Sequence, residues 1–376
     1  MNIPNRKIKV VIAINDFMVG GAQKLIVDQL KFFNNKIFDL TLITLFEFPD
    51  KKNFYGELSF DIKCLRFNFK SFYDLRSWWS LIKILRRLEP NVVCSHLFLS
   101  NTIFRLIKLL MNYKIITVEH NTYINKKRRE IWIDKLLSYV TFRIVAVSRS
   151  VRDYAARQAW LPLSKFEIIY NGIDFTPINN LKRESQRSHL RRSLGFSDDE
   201  IIMVNNGRLT QQKNHTLLVA AFANFQVSHP KSKLVIIGEG SLLEMLCAQA
   251  NSSNSRGSIF FLGAVKHSLA LQYMYAADFF VSTSSIEGLS IAYLEALAMG
   301  LPIIATKTAG TDELIKDGVN GFFLEFDIEK IKHTMSMAIK ENHTAMSESA
   351  LKTVELFDIK MNVNKYADLF CQAFKV

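Results

Sequence analysis

Two glutamates in one short stretch have the spacing that most directly suggests chemistry. Glu287 and Glu295 stand with seven residues between them in 279-FFVSTSSIEGLSIAYLEALAMGLPIIAT-306. The pattern predicts a strand, a polar turn that holds Glu287, a helix from about residue 289 to 299 that holds Glu295, and a second strand. A strand end that leads into a helix N-terminus presents free backbone N–H groups and the positive end of the helix dipole. The stretch therefore predicts a site for an anion with a carboxylate on each side.

The turn itself is small enough for a ligand to approach the backbone. Gly288 and Ser290 keep it compact, so a diphosphate can reach the amides of Leu289 and Ser290. The alternative from the spacing alone is an ordinary capped helix whose two acids are solvated.

A pair of cations lies at another predicted strand end. Arg208 and Lys213 are five residues apart in the loop that begins at Gly207, after the apolar strand 201–206. One fork-shaped and one point cation together are well suited to gripping a diphosphate. Taken singly, each is more often a surface charge.

Further candidate positions follow other predicted strands. Gly20 and Gly21 follow strand 8–15, His120 ends strand 114–120, and Gly240 follows strand 233–238. Ligands in open parallel α/β sheets bind outside the carboxyl ends of the strands, so these positions can converge on one cleft. Taken alone, Gly20-Gly21 can be only a tight turn, and a histidine after a strand is as often structural.

The elements that carry these residues alternate between strand and helix with short connections. Two such series predict an α/β protein of two doubly wound, Rossmann-like domains facing a central cleft. We expect an N-terminal domain over 1–176, a C-terminal domain over 177–360, and a last helix over about 361–376 that packs back on the first domain. The polar stretch 176–200 is predicted to be an interdomain linker with a peripheral helix.

Composition narrows the protein class. The 376 residues are 49% apolar, without an apolar run long enough to span a membrane, and the first residues predict a strand, not a signal peptide. Four scattered cysteines without metal-ligand spacing favour a reducing cytosol.

The positive charge is confined to the first half. Residues 1–175 hold 28 Lys and Arg against 15 Asp and Glu, and the remainder holds 20 of each. A membrane surface, nucleic acid or a lipid-phosphate substrate would each suit such a half. Two segments are candidate membrane contacts: the basic helix 74–89 and the run 126-KKRR-129, which precedes Trp132. The alternative for the helix is that it only covers the sheet, and the alternative for the run is that it is a solvated group of charges.

The second half resembles the retaining, nucleotide-sugar-dependent GT-B glycosyltransferases of family 4. The N-terminal half resembles them weakly, through 19-VGGAQ-23, His120 and 147-VSRSV-151. The matching segments of the second half, which cover most of residues 170–322 in the family's order, are 170-YNGID-174, 207-GRLTQQKNHTLLVAAF-222, 235-VIIGEGSL-242, 261-FLGAV-265, 275–306 and 308-TAGTDELIKDGVNGF-322.

The resemblance implies a role for each matching residue. Arg208 and Lys213 would neutralise the leaving diphosphate, Glu287 would lie near the donor sugar, and Glu295 would hold the ribose hydroxyls. The amides of Leu289 and Ser290 would hold phosphate oxygens, and Gly21 would close on the diphosphate from the other domain. The other positions that the resemblance implies are Val265 at the base, His120 near the donor sugar and acceptor, and Gly20, Gly207, Gly240 and Gly288 as further donor-binding positions.

The residue types agree with such chemistry. Breaking a sugar–diphosphate bond needs charge stabilisation on the departing phosphate more than a strong base. Retention in the family is attributed to front-face attack in which the leaving phosphate accepts the acceptor's proton. No D-x-D element stands near a strand end, so we expect no metal and no cofactor beyond the nucleotide sugar. One departure is Asn205-Asn206, where the family usually has apolar and small residues.

The sequence thus predicts a metal-independent, retaining glycosyltransferase that moves a hexose or N-acetylhexosamine, from a UDP-sugar by preference, to a lipid-linked acceptor. The resemblance implies synthesis of O-antigen, lipopolysaccharide or capsule at the cytoplasmic face of the inner membrane, with the basic half on the anionic surface. A nucleotide-sugar epimerase of similar fold fits the Glu287 and Arg208 elements less well. A nucleic-acid-binding protein rests on charge alone, and we expect no nucleic-acid partner.

Overall fold

The structure is a computed structural model that describes residues 6–59, 62–253 and 255–375. The chain divides into two compact units, Met1–Gly172 with Ile359–Val376 and Ile173–Asp358. The sequence predicts a first boundary after residue 176 and a return near residue 361. In the structure, the chain leaves the first unit after Gly172 and returns to it at Ile359, so each boundary lies within a few residues of the predicted position.

The first unit is built on a parallel sheet of seven strands within the described residues, in the order β3-β2-β1-β4-β5-β6-β7. The strands are β1 Ile8–Ile14, β2 Phe38–Thr44, β3 Lys63–Arg66, β4 Val92–His96, β5 Lys114–Glu119, β6 Thr141–Ala146 and β7 Phe166–Ile168. The helices between them are α1 Gly21–Phe32, α2 Leu75–Leu88, α3 Phe98–Lys108, α4 Arg128–Leu137 and α5 Arg149–Ala159.

The sequence of this unit explains its sheet. β1 is an almost unbroken apolar run, and nearly all of its residues are buried, as expected of a parallel strand covered on both faces. One face packs into a core that includes Val11, Leu81 and Ile103. Asp74 begins α2 as its N-cap and accepts a hydrogen bond from the Ser77 amide at 3.2 Å.

The second unit has the same design. In the described chain its strands are ordered β10-β9-β8-β11-β12-β13. They are β8 Ile201–Asn206, β9 Ser232–Ile237, β10 Ile259–Gly263, β11 Phe279–Ser282, β12 Ile303–Thr306 and β13 Gly321–Leu324. Its helices are α6 Phe175–Glu184, α7 Arg187–Ser193, α8 His215–Ser228, α9 Leu243–Asn251, α10 His267–Ala276, α11 Ile291–Met299, α12 Ile328–Ala338 and α13 His343–Val354. All pairings are parallel, which confirms two doubly wound α/β sheets.

The stretch 176–200, predicted to be an interdomain linker with a peripheral helix, is largely helical and belongs to the second unit. It forms α6 and α7, which are anchored to the second unit by arginines. Arg187 donates to the Ala277 carbonyl and to the Asp278 carboxylate, both at 2.6 Å, and the buried Arg191 also pairs with Asp278, at 3.1 Å. Two of the charged residues that suggested a linker therefore bind carbonyls at the end of α10.

The last helix, α14 Ile359–Lys375, belongs to the first unit. Phe370 stacks on Phe33 next to α1 with ring centroids 5.7 Å apart. Asn362 accepts a hydrogen bond from Gln29 at 2.8 Å and donates to the Tyr170 carbonyl at 2.6 Å. The helix thus closes the apolar face of α1.

Candidate active site

The strand order of the second unit reverses between β8 and β11, which are neighbours in the sheet. In open α/β sheets a crevice forms at such a reversal, outside the carboxyl ends of the strands. The loop that follows β8 carries Arg208 and Lys213, and the loop that follows β11 carries Glu287. The fold therefore brings together residues that the sequence places about 75 positions apart.

These two loops are joined by a series of hydrogen bonds. Gln212 donates from its side chain to the Ile286 carbonyl at 2.8 Å, and its own carbonyl accepts from the Ser285 amide at 2.8 Å. Thr283 donates its hydroxyl to the Asn214 carbonyl at 2.8 Å. The two loops thus form one structure, and the functional side chains on them have fixed relative positions.

Lys213 and Glu287 form an ion pair across the two loops, with the ammonium donating to the carboxylate Oε1. Glu287 and Glu295 are each only 6% exposed, so the alternative of two solvated acids is wrong. A charged pair so well removed from water is held together more firmly than one on the surface.

Arg208 contrasts with its neighbour. Its side chain is exposed and has neither a hydrogen bond nor an ion pair to any described residue. In this group Lys213 is balanced by Glu287, whereas Arg208 keeps its full charge for a ligand. Arg208, Lys213 and Glu287 together carry one net positive charge, which suits an anion.

The predicted glycines have a structural explanation. A Cβ at Gly240 would overlap the Leu209 carbonyl, and one at Gly238, where φ is +137°, would overlap the Gly207 carbonyl. The loops after β8 and β9 therefore pack backbone against backbone, with the Leu209 amide donating to the Glu239 carbonyl at 2.9 Å. Gly240 fixes the course of the loop that bears Arg208.

The α11 N-terminus lies beside Glu287. Ser290 is the N-cap, and its side chain makes no capping hydrogen bond, while Gly288 and Leu289 are buried in the turn before it. The first turn of α11 contains no acidic residue, so the positive end of the helix is not neutralised from within.

Glu295 is bound to a histidine that the sequence did not single out. His267 Nε2 lies 2.6 Å from Glu295 Oε1. His267 begins α10, two residues after the half-buried Val265, so the expected base and ribose positions are adjacent in the structure. The only sequence signal was its closeness to Val265.

Asn205 explains the departure from the family pattern. Its amide donates to the Val281 carbonyl of β11 at 2.7 Å, and its side-chain oxygen lies 2.8 Å from His215 Nε2. Since the amide nitrogen faces Val281, the imidazole must donate to the oxygen. Burial, followed by the charge of Lys213, lowers the pKa of His215 to about 4, so the ring is neutral at pH 7. The side chain thus ties β8 to β11 where their own pairing ends.

The first unit holds the other predicted residues at the carboxyl ends of its strands. Gly20 precedes α1 in extended conformation and Gly21 is its first residue. The turn before them is braced by Asp16, which accepts from the Met18 amide and from the Gln23 side chain, both at 3.1 Å.

His120 forms a pair with His96, which sequence reasoning missed. His96 Nδ1 lies 2.9 Å from His120 Nε2, and the Cys94 sulfur lies 3.6 Å from His96 Nε2. Burial lowers the pKa of His120 to about 4, and burial followed by the His120 charge lowers the pKa of His96 well below its usual value. Both rings are therefore neutral at pH 7, and one donates to the other. The position of His96 at the end of β4, next to β5, was the available signal.

Lys126 is not solvated, so the interpretation of 126-KKRR-129 as a solvated charge run is wrong at this residue, and membrane contact by the rest of the run stays a prediction. The Lys126 ammonium lies 2.7 Å from Asp134 and 3.8 Å from Glu119, and all three side chains are buried. Arg105 pairs with the other oxygen of Asp134. The four basic residues therefore differ in environment. Lys126 is buried because it balances buried acids, whereas Lys127, Arg128 and Arg129 are exposed.

The described residues contain neither a membrane-spanning helix nor a metal-binding cluster. Within 6–59, 62–253 and 255–375, no helix is both long and apolar enough to cross a membrane. In the same residues, no group of three or more His, Cys, Asp or Glu is placed to hold a metal ion.

Family models match both units. The model described as "Glycosyltransferase Family 4" matches residues 19–176, and the one described as "Glycosyl transferases group 1" matches residues 186–353. The chain belongs to glycosyltransferase family 4. The family resemblance drawn from the motifs is thereby confirmed.

Individual relatives agree with this family. Over 371 residues, the chain is 24% identical to the Escherichia coli UDP-Gal:alpha-D-GlcNAc-diphosphoundecaprenol alpha-1,3-galactosyltransferase, with 94% of each protein covered. It is 34% identical over 196 residues to an uncharacterized glycosyltransferase of Methanocaldococcus jannaschii. That match covers 51% of this chain and 49% of the relative, so the chain spans about half the length of that protein.

A solved structure shows the fold. Anabaena HepE in complex with UDP and glucose superposes with a TM-score of 0.83 at 18% identity, covering 97% of this chain and all of that one. The family 4 chain therefore has the GT-B fold that the sequence predicts.

Proposed function

We propose that this family 4 protein is a retaining glycosyltransferase. It takes a hexose or N-acetylhexosamine from a nucleotide-diphosphate sugar, a UDP-sugar by preference, and adds it to a lipid-linked glycan. The observation that carries the proposal is the group of Arg208, Lys213 and Glu287 at the reversal of the second sheet. The E. coli relative, whose name specifies UDP-Gal and a diphosphoundecaprenol acceptor, supports the choice of donor and acceptor.

In the proposed reaction the bond between the anomeric carbon and the diphosphate oxygen breaks. The acceptor hydroxyl oxygen bonds to that carbon on the face the diphosphate leaves, and the hydroxyl proton passes to a leaving phosphate oxygen. Arg208 and Lys213 stabilise the charge that develops on the diphosphate, and the α11 N-terminus adds backbone amides to the same task. Glu287 positions Lys213 and borders the donor sugar.

We also propose that the reaction needs no metal ion or other cofactor, because the two cations supply the charge that a metal would otherwise provide at the diphosphate. The place of action is the cytoplasmic face of the inner membrane, where lipid-linked acceptors of O-antigen, lipopolysaccharide or capsule synthesis are extended. We also propose that nucleic acid is not a partner, because the positive charge is not accompanied by a recognised nucleic-acid-binding motif.

The test is a transfer assay with the purified protein. UDP-, GDP- and ADP-sugars are offered with a polyprenyl-diphosphate-linked sugar, with and without EDTA, and the anomeric configuration of the product is read by NMR. The proposal predicts an α-linked product from an α-linked UDP-sugar, at an unchanged rate in EDTA.

A matched pair of variants assigns the activity to the site. Arg208→Ala should reduce transfer by about 100-fold, whereas Arg256→Ala, which removes an exposed arginine of the same unit, should leave it unchanged. A product of inverted configuration, or a rate abolished by EDTA, would contradict the corresponding part of the proposal.

A further inference from the structure

Two neighbouring helices of the first unit, together with the residues that directly follow them, expose a set of large apolar side chains. Trp132, Leu136, Tyr139 and Trp160 are 54%, 64%, 77% and 63% exposed. The indoles of Trp132 and Trp160 contact each other across α4 and the end of α5, with ring centroids 6.1 Å apart. We call these four residues the α4–α5 aromatic face. Single exposed apolar residues are ordinary, but a contiguous group indicates an interaction surface.

A buried ion pair orients this face outward. Asp134 lies in the middle of α4 and is held inside the unit by Arg105 and Lys126. In an α-helix, positions two residues before and after a given one lie roughly 200° around the axis from it. Trp132 and Leu136 are therefore on the side of α4 opposite Asp134. The orientation follows from the electrostatics of the core and does not depend on a partner.

Positive charge surrounds the α4–α5 aromatic face. Residues 124–165 contain ten Lys and Arg and three Asp and Glu. Lys126 and Asp134 are buried against each other, which leaves nine basic residues against two acids. Lys135 lies between the two indoles, with its ammonium 5.2 Å from the Trp132 ring and 5.3 Å from the Trp160 ring. Its alkyl chain thus lies along apolar surface while its charge stays at the edge, the arrangement that long basic side chains adopt at bilayer surfaces.

We propose that the α4–α5 aromatic face docks the protein on an anionic lipid bilayer. Indole rings are favoured at the boundary between headgroups and acyl chains, and each nearby Lys or Arg adds attraction to anionic headgroups. A protein partner with an apolar groove would not account for so large an excess of positive charge. The proposal rests on the proposed function, because a lipid-linked acceptor requires the enzyme at a membrane.

A second exposed face provides a matched control. On α2, Trp79 is exposed and lies under Lys83, whose ammonium is 4.9 Å from the ring. This face has a single tryptophan, and residues 70–89 contain five Lys and Arg against two acids. Tyr73 and Leu75 are also exposed here, but the face lacks a second indole in contact with the first.

The experiment is vesicle co-sedimentation with the full chain. Vesicles containing phosphatidylglycerol are compared with pure phosphatidylcholine vesicles, using wild type, Trp132→Ala/Trp160→Ala and Trp79→Ala. Wild type should bind the anionic vesicles selectively, and the double variant should bind roughly tenfold or more weakly, given the area of two indoles. Trp79→Ala should bind like wild type. Added salt should weaken all binding.

Three results would overturn the proposal. They are wild-type protein that does not bind anionic vesicles, binding that is lost in Trp79→Ala but kept in the double variant, and a wild-type dimer that the double variant dissociates. A thermal shift with nucleotide, measured on the same samples, separates this surface from the proposed function. If the docking proposal fails alone, the nucleotide shift remains; if the proposed function fails, the shift is absent whatever the vesicles show.

Discussion

Lys213 donates a hydrogen bond to Glu287, and the two residues come from the loops that follow β8 and β11, the neighbouring strands at which the second sheet reverses its order. In the described chain the Lys213 ammonium is therefore balanced, while the Arg208 guanidinium of the same loop is not. In the proposed reaction, an incoming diphosphate would meet Arg208 at full charge and would compete with Glu287 for Lys213. We therefore expect the balance among these three charges to set both donor affinity and turnover.

Removing the competing carboxylate should separate binding from turnover. In Glu287→Gln the Lys213 ammonium is released for the diphosphate, so UDP should bind as tightly as in wild type or several-fold more tightly. Transfer should fall on the order of 100-fold, because the cation is no longer held in position. Titration calorimetry with UDP and a transfer assay measure the two effects. Weaker UDP binding in this variant would refute competition between Glu287 and the diphosphate.

Removing the cation should instead destabilise the second unit. Lys213→Met leaves the buried Glu287 carboxylate without its partner, and breaking a buried pair from one side costs on the order of 3 kcal/mol. Lys213→Met/Glu287→Gln should recover most of that loss in unfolding free energy, but not activity. Scanning calorimetry of the three proteins is the measurement. If the double variant were as unstable as the single one, the ion pair would not explain the loss.

The backbone packing at Gly240 makes a steric prediction. Gly240→Ala places a methyl group on the Leu209 carbonyl, so the loop that bears Arg208 must shift and nucleotide affinity should fall by roughly tenfold or more. Gly56→Ala is the control, because nothing lies within 4 Å of a Cβ at that position. The measurement is the UDP affinity of the two variants. Equal affinities would exclude the steric explanation.

The two neutral histidines of the first unit predict acid sensitivity. Burial lowers the pKa of His120 to about 4 and that of His96 well below its usual value, whereas a histidine in the unfolded chain titrates near about 6.5. Between these values the unfolded chain binds more protons, so the unfolding free energy falls as the pH falls. The loss reaches about 1.4 kcal/mol per pH unit for each histidine.

All four tryptophans lie in the first unit, so their fluorescence reports its unfolding separately. The denaturant concentration at half unfolding should be lower at about pH 5 than at about pH 7. This difference should be smaller in His120→Asn. An identical pH dependence in the two proteins would show that His120 does not contribute.

Much of the architecture was available from the sequence. Apolar runs bounded by glycine and polar turns placed the strands, and so placed Gly207 and Glu287 at strand ends. Asp74 marked the start of α2. The family motifs added the second unit's identity as a glycosyltransferase domain. These features are local, because each depends on residues close together in the chain.

The contacts inside the site were not available in this way. The Lys213–Glu287 pair and the Asn205–Val281 bond depend on β8 and β11 being neighbours, and strand order is not encoded in any single segment. The His96–His120 pair depends in the same way on β4 and β5. Charge alone also misled: Arg191 and Lys126 look like solvated residues in sequence, but each neutralises a partly or fully buried acid.

The central claim is that Arg208 and its surroundings receive the diphosphate of a nucleotide sugar. The most direct measurement is the melting temperature of wild type, Arg208→Ala and Arg256→Ala with UDP, GDP, ADP and their sugars. At a concentration about a hundred times its dissociation constant, a ligand adds roughly 2.7 kcal/mol to stability, which corresponds to a shift of several degrees. We predict that shift with uridine nucleotides in wild type and Arg256→Ala, and its loss in Arg208→Ala. A folded wild-type protein that shifts with no nucleotide, or an Arg208→Ala variant that shifts as much as wild type, would contradict the claim.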